Sequence, residues 1–203
     1  MKKIILTLSL VIFLFSQSIS FSQSYDVNYT IEYALKKADG TEVSRMKFFR
    51  NGNQMKFLKM SDSGTPQEAK TEIFINKDDR KIYQIISNST GKYGSKFDLD
   101  VMMVGMQTGV YILDLGNVDL FNAGSLTGTG TVLGKACKEY TIVMQSNGTQ
   151  LARSVYYIYQ DNLMLKRSVG SDVEGNAIEA LSYNTAVVPS SVFDMPADIT
   201  WMN

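Results

Sequence analysis

Thr131-Val-Leu-Gly-Lys-Ala-Cys-Lys-Glu-Tyr140, Val155-Tyr-Tyr-Ile-Tyr159, Asp161-Asn-Leu-Met-Leu-Lys-Arg167 and the closing Val188-Pro-Ser-Ser-Val-Phe-Asp-Met-Pro196 are the stretches on which the fold turns. Short runs rich in β-branched and aromatic residues, punctuated by Gly, Asn and Asp, read as strands joined by tight turns. Strands are expected at about 131–144, 151–160, 163–170 and 177–187, with Asn147-Gly148, Asp161-Asn162 and Glu174-Gly175-Asn176 between them.

Upstream the same reading continues. From Tyr25 to Lys37 the odd positions are Tyr, Val, Tyr, Ile, Tyr, Leu and Lys, and the even ones Asp, Asn, Thr, Glu, Ala and Lys. That is the period of a strand with one buried face. Ala38-Asp39-Gly40 turns the chain into a strand from Thr41 to Arg50, and Asn51-Gly52 turns it again into Gln54 to Met60. A polar loop, Ser61 to Lys70, precedes another hairpin, 71–76 with 80–88, about Lys77-Asp78-Asp79. Ser89 to Ser95 reads as a break made of turn residues.

The period then changes. Leu99, Met102, Met103 and Met106 fall at i, i+3, i+4 and i+7, one face of a helix expected between Phe97 and Gln107. Asp98 or Ser95 suits its start and Gly109 its end, while the valines and Gly105 lower its propensity. Val110 to Leu115 reads as a further strand, and the Gly- and Asn-rich stretch Gly116 to Gly130 as a long loop.

Met1-Lys2-Lys3, the apolar run Ile4 to Phe15 and the small residues Ser20-Phe21-Ser22 form a secretory signal peptide over 1–22, cut after Ser22. The run of about twelve apolar residues is too short to span a bilayer. No cysteine stands near the cut to accept a lipid. Residues 23–203, roughly 180, are enough for one domain with one core. Loss of Lys2 and Lys3 turns a formal charge of zero into about minus two, with both signs scattered, which argues against a nucleic-acid partner. The chain has one cysteine, Cys137, so no internal disulfide staples it. Asn28, Asn88 and Asn147 match the glycosylation pattern by chance, in polar turns.

The chain has no histidine, which removes Ser-His-Asp and Cys-His catalysis and most zinc or iron sites. Cys137 lies between Lys135 and Lys138, whose charge favours a thiolate, but no base or second cysteine accompanies it, and a small strand residue is the simpler reading. Asp98 with Asp100 reads as a helix start and Asp172 with Glu174 as a solvated turn; neither matches a calcium loop. Thr127-Gly-Thr-Gly-Thr131 lacks the Lys-Ser/Thr of a phosphate cradle. No cofactor, metal or catalytic set is therefore expected, and the chain is not read as an enzyme. The constellation that remains is apolar. Tyr29, Ile31, Tyr33 and Leu35 form one wall, faced by Leu99, Met102, Met103 and Met106, and methionine suits surfaces that accept varied apolar ligands. Ordinary core filling by the same residues is the competing reading.

Gly134-x-x-Cys137-x-x-Tyr140 and Phe193-Asp-Met-Pro196, with the Val188-Pro189 before it, resemble the C-terminal half of the lipoprotein-carrier (LolA-like) superfamily. Asn53-Gln-Met-Lys56 is similar to an early Met-Arg stretch of that family, with Lys56 where arginine is commoner. The two cations are not equivalent, since lysine lacks the planar fork. The resemblance implies a mainly β (α+β) fold: a strongly curved antiparallel sheet or half-open β-barrel, with one or two covering helices over an apolar cavity. It implies a periplasmic or secreted binding protein for an acyl chain, a lipid or a lipoprotein. Carriers of this kind place a helix before the first strand, whereas here a strand starts at Tyr25, so a relative is implied rather than a carrier itself. The alternative is an envelope interaction or sensor module with no bound small molecule, making transient contact with the membrane or an envelope protein.

Overall fold

The computed structural model describes residues 27–61, 69–113, 124–146, 149–160, 162–169 and 177–202. The expected leader over 1–22 and the pair Asp172 and Glu174 lie outside them. The described strands are β1 (Asn28–Lys36), β2 (Glu42–Asn51), β3 (Gln54–Ser61), β4 (Ala69–Asn76), β5 (Lys81–Asn88), β6 (Gly91–Asp98), β7 (Ser125–Val132), β8 (Lys135–Ser146), β9 (Thr149–Tyr159), β10 (Leu163–Val169), β11 (Ala177–Asn184) and β12 (Thr200–Trp201). Among the described residues one α-helix, α1 (Val101–Thr108), lies between β6 and β7, and Ser190–Phe193 form a 3-10 turn. Among the described residues no helix is long and apolar enough to cross a membrane.

All twelve strands join one sheet, in the order β12-β6-β5-β4-β3-β2-β1-β11-β10-β9-β8-β7. Two meanders are thus stitched together where β1 pairs with β11, and the sheet ends at β7 and β12 without closing. Every ladder is antiparallel except β12 on β6, which is parallel over Thr200–Tyr93 and Trp201–Gly94.

Alternation decides which face each strand buries. In β1 the residues Tyr29, Ile31 and Tyr33 are buried while Asn28, Thr30 and Glu32 are half-buried. The register sets Ile31 opposite Phe48 and Phe48 opposite Phe57, so the inner face continues strand to strand. Phe48 stacks on Phe57 with ring centroids 4.3 Å apart, and Tyr29 stacks on Tyr183 of β11 at 5.4 Å.

β4 behaves differently, since Glu72, Ile73, Phe74 and Ile75 are all buried in succession. A strand buried on both faces needs a cover on each side. The second cover is the C-terminal segment, which straps the outer face of β3 to β6. Asn51 Nδ2 donates to Val188 O at 3.1 Å, Lys56 Nζ to Val192 O at 3.0 Å and Lys92 Nζ to Ala197 O at 3.0 Å. Met202 N then bonds Gly94 O at 2.8 Å. Gly94 is required at this crossing, because a Cβ there would stand 2.6 Å from Ile199 Cγ2 and 2.8 Å from the Trp201 ring.

Four expectations change. Ser89 to Ser95 is not a break: most of it belongs to β6, whose Phe97 and Asp98 pair with Ile82 and Lys81, so the helix begins at Val101 rather than near Phe97. Ser125–Val132, within the expected loop and the strand after it, is β7, bonded to β8 across Gly128 and Gly130. In place of a strand over 110–115, the described residues hold one isolated bridge, Ile112 to Leu163. The expected one or two covering helices are not supported: among the described residues the helical part near the core is α1, eight residues long. At 1.5 Å per residue it is about 12 Å long, too short to cover a sheet of twelve strands about 4.8 Å apart.

Gly109 ends α1 as expected, with φ +74° and its N–H bonded to Gly105 O at 2.7 Å. Gly105 has a reason that helix propensity does not supply: a Cβ there would meet Tyr111 Cε1 at 2.2 Å. Gly105→Ala gains about 1 kcal/mol in helix propensity but forces apart a buried ring contact at about 1–3 kcal/mol. Net destabilisation is expected, read as a lower urea midpoint at unchanged slope.

Candidate functional site

Tyr29, Ile31 and Tyr33 come together with Phe48 and Phe57 on the concave face, and none of the five is more than 1% exposed. Leu35 and Leu99 are partly buried against the same cluster. The side chains of Met102, Met103 and Met106 lie outside the described residues. α1 inserts Val104, fully buried, a residue that the i, i+3, i+4, i+7 reading leaves off the apolar face. Behind it Val110, Tyr111 and Ile112 continue into the core.

Tyr33 occupies part of the concave face. Its ring reaches past β11, and the hydroxyl donates to Met164 O of β10 at 2.8 Å. Ala180, opposite Tyr33 in the β11 register, is small enough to leave the ring that path. Burial, with the neighbouring Tyr29 and Tyr183, pushes the Tyr33 phenol well above its ordinary pKa, so it stays a neutral donor. Beside it, Tyr33, Leu35, Met46, Thr108 and Ile178 line a cavity of about 30 Å³. That volume holds one or two waters, against about 300–1,000 Å³ for a typical ligand pocket.

Three charged residues without a local signal in the sequence are buried, Arg50, Lys56 and Glu72. Arg50, on the inner face opposite Tyr29, donates Nε to Gly52 O at 3.1 Å and Nη1 to the Tyr29 hydroxyl at 3.4 Å. Lys56, on the outer face, stands 2.7 Å from Glu72 Oε1 and 4.5 Å from the centre of the Phe74 ring. Lys70 Nζ lies 3.1 Å from the other Glu72 oxygen. Lys56 thus ties β3 to β4 and, through Val192 O, to the C-terminal strap. Its distance from Val192 along the chain, |i−j| = 136, hides this role from any local pattern.

Cys137 is buried, its Sγ donating to Lys135 O at 3.4 Å. Lys135 turns away from it, over the Tyr159 and Tyr183 rings at 5.2 and 4.6 Å. Burial pushes the thiol pKa up, only partly offset by a backbone bond from Val132, against the thiolate that the flanking lysines suggest. Asp98 is not a helix cap: it faces Lys81 across the β5–β6 ladder and pairs with it. On the outer face a second cleft, of about 110 Å³, opens between the β4–β5 turn and the strap.

Burial alone raises the Glu72 pKa, but hydrogen bonds and charge from Lys56 and Lys70 outweigh it and leave the carboxyl below its ordinary value. A depressed carboxyl stabilises the fold above its unfolded pKa, and that contribution fades as pH falls through the folded value. Glu72→Gln should therefore lower stability by about 3 kcal/mol at neutral pH, because it leaves Lys56 buried without its counter-charge. The difference from wild type should shrink below the ordinary carboxylate range, as chemical denaturation at pH 7 and pH 3 will show, and Lys56→Met with Glu72→Leu should recover most of it. Cys137 should react with an aromatic disulfide reagent only after unfolding in guanidinium, followed by absorbance of the released thiolate.

No protein-family model matches the chain, and no curated protein matches it. Among solved structures it is similar to the crystal structure of a β-barrel-like protein of the domain of unknown function DUF1849 from Brucella abortus. The identity is 11%, the match covers 78% of this chain and 97% of that one, and the TM-score is 0.36.

Proposed function

We propose that this chain is an exported interaction or sensor module of the cell envelope, built on a lipoprotein-carrier-like half-barrel whose concave face is filled by its own side chains. One observation carries the reading. Among the described residues the aromatic wall expected to hold a ligand is buried, with Tyr33 bonded to Met164 O and a cavity of about 30 Å³ beside it, which supports a self-filled face. A face packed to that degree stores no acyl chain in this state. In this proposal residues 1–22 direct export, 23–203 form one domain, and the product is periplasmic or secreted.

The acyl-chain reading draws on a different feature. The part of the core wall that is not sheet is the segment from α1 to Leu113, held by the bridge Ile112–Leu163 and the bonds Leu113 N to Asn162 O and Met164 N to Tyr111 O. Beneath these bonds the Asn162 side chain is buried, and among the described residues neither amide atom has a hydrogen-bond partner. Buried amides without partners are rare and costly. Withdrawal of this cover would open the concave face to an acyl chain, with Met102, Met103 and Met106 carried on the moving helix.

Native mass spectrometry of the protein purified from the envelope, with titration of a fluorescent acyl probe, separates the two. The module reading expects the bare polypeptide mass and no saturable probe uptake. Co-purified lipid, or uptake lost in Met102→Asp or Met106→Asp while the circular dichroism of the strands is kept, would establish the acyl carrier in its place.

A further inference from the structure

The outer cleft lies away from the concave face and is built from distant pieces of chain. Phe74 and Tyr83 come from adjacent strands, opposite one another in the β4–β5 register, and Phe193 with Met195 comes from the strap. Its polar part is Asp79, with the amide side chains of Gln54 and Asn76. Asp79 is fixed by the turn, since Lys81 N donates to Oδ1 at 3.1 Å and the Tyr83 hydroxyl to Oδ2 at 3.2 Å.

These groups share one chemistry. Three aromatic rings and the thioethers of Met55 and Met195 offer quadrupoles and polarisable surface, Asp79 offers a carboxylate, and among the described residues no lysine or arginine lines the cleft. The same rings already attract ammonium groups of the chain: Lys56 Nζ stands 4.5 Å from the Phe74 centroid and Lys96 Nζ 5.3 Å from that of Tyr83. Lys56 shares the Glu72 carboxylate with Lys70, at 2.7 and 3.1 Å, and among the described residues Asp79 is the charged group in the lining of the cleft itself. An opening of about 110 Å³ is too small for a whole drug-sized ligand and suits one compact group. We infer that the cleft is a site for a quaternary ammonium head group, with Phe74, Tyr83 and Phe193 as its cage and Asp79 as its counter-charge.

The chain supplies its own reporter. Trp201 is the one tryptophan in the sequence, and its ring meets Tyr83 edge-on with centroids 6.0 Å apart. Tryptophan fluorescence of the mature chain is to be titrated with choline chloride, with sodium chloride at matched ionic strength, and with 3,3-dimethyl-1-butanol, the neutral carbon analogue of choline. A saturable change with choline alone is expected. Asp79→Asn, which keeps the acceptor for Lys81 N, should weaken it at least tenfold, and Phe193→Ala should also weaken it, with thermal unfolding midpoints confirming folded variants. A flotation assay with phosphatidylcholine vesicles distinguishes the source: binding sensitive to Asp79→Asn assigns the head group of a lipid, and its absence beside a choline response assigns a free small molecule. No saturable response to choline and no flotation, or equal responses to choline and its neutral analogue, or an unchanged Asp79→Asn titration, would overturn the site.

Discussion

β1 carries a ladder on each edge, and through it alone, among the described strands, the meander β1 to β6 and the meander β7 to β11 become a single sheet. Backbone bonds set the order of the strands but not the curvature. That comes from the inner face of β1, which draws partners from both halves: Tyr29 stacks on Tyr183 of β11 and meets Phe48 of β2 edge-on at 5.7 Å. Tyr33 reaches past β11 to Met164. A side chain that must touch strands on both sides of its own favours a sheet curved around it, and among the described residues aromatic rings fill this part of the interior.

The outer face shows why the sheet remains open. A half-barrel in water normally keeps its convex side polar, yet β3 and β4 bury Lys56, Glu72 and Phe74 there. The C-terminal strap makes this tolerable by supplying Val192 O to Lys56 and by adding β12 to the free edge of β6. A buried ion pair adds little net stability compared with an apolar pair of the same volume. Its effect here is directional, because the charge-assisted contacts hold β3, β4 and the strap in one register. The same strap forms the far wall of the outer cleft, so the features that shield the convex face also create its recess.

Much of the architecture was legible where apolar residues alternate between clear turns. β1 to β5 and β8 to β11 follow the expected runs, and the inward set Tyr29, Ile31 and Tyr33 is the one that the period of two selects. β6 and β7 were not legible, because their identity rests on what packs against their glycines. Gly94 takes Ile199 and Trp201 from more than a hundred residues away, and Gly130 lies against the Tyr157 ring. Neither glycine announces a strand, since each serves by lacking a side chain. The helix was found one turn too early for a related reason: Phe97 fits a helical face and a strand equally well until Ile82 stands opposite it.

The sequence alone determined the class of the fold, the inward residues of β1, the end of the helix at Gly109 and the absence of histidine chemistry, since each is a property of local periodicity, local backbone freedom or composition. Only the tertiary structure decided that the aromatic rings of β1, β2, β3 and β11 pack on one another, that Lys56 is a buried anchor for the C-terminal strap, and that Cys137 is buried. Those outcomes depend on distances between segments far apart in the chain. Volume, burial and pairing arise when strands close on one another, and no run of neighbouring residues contains them.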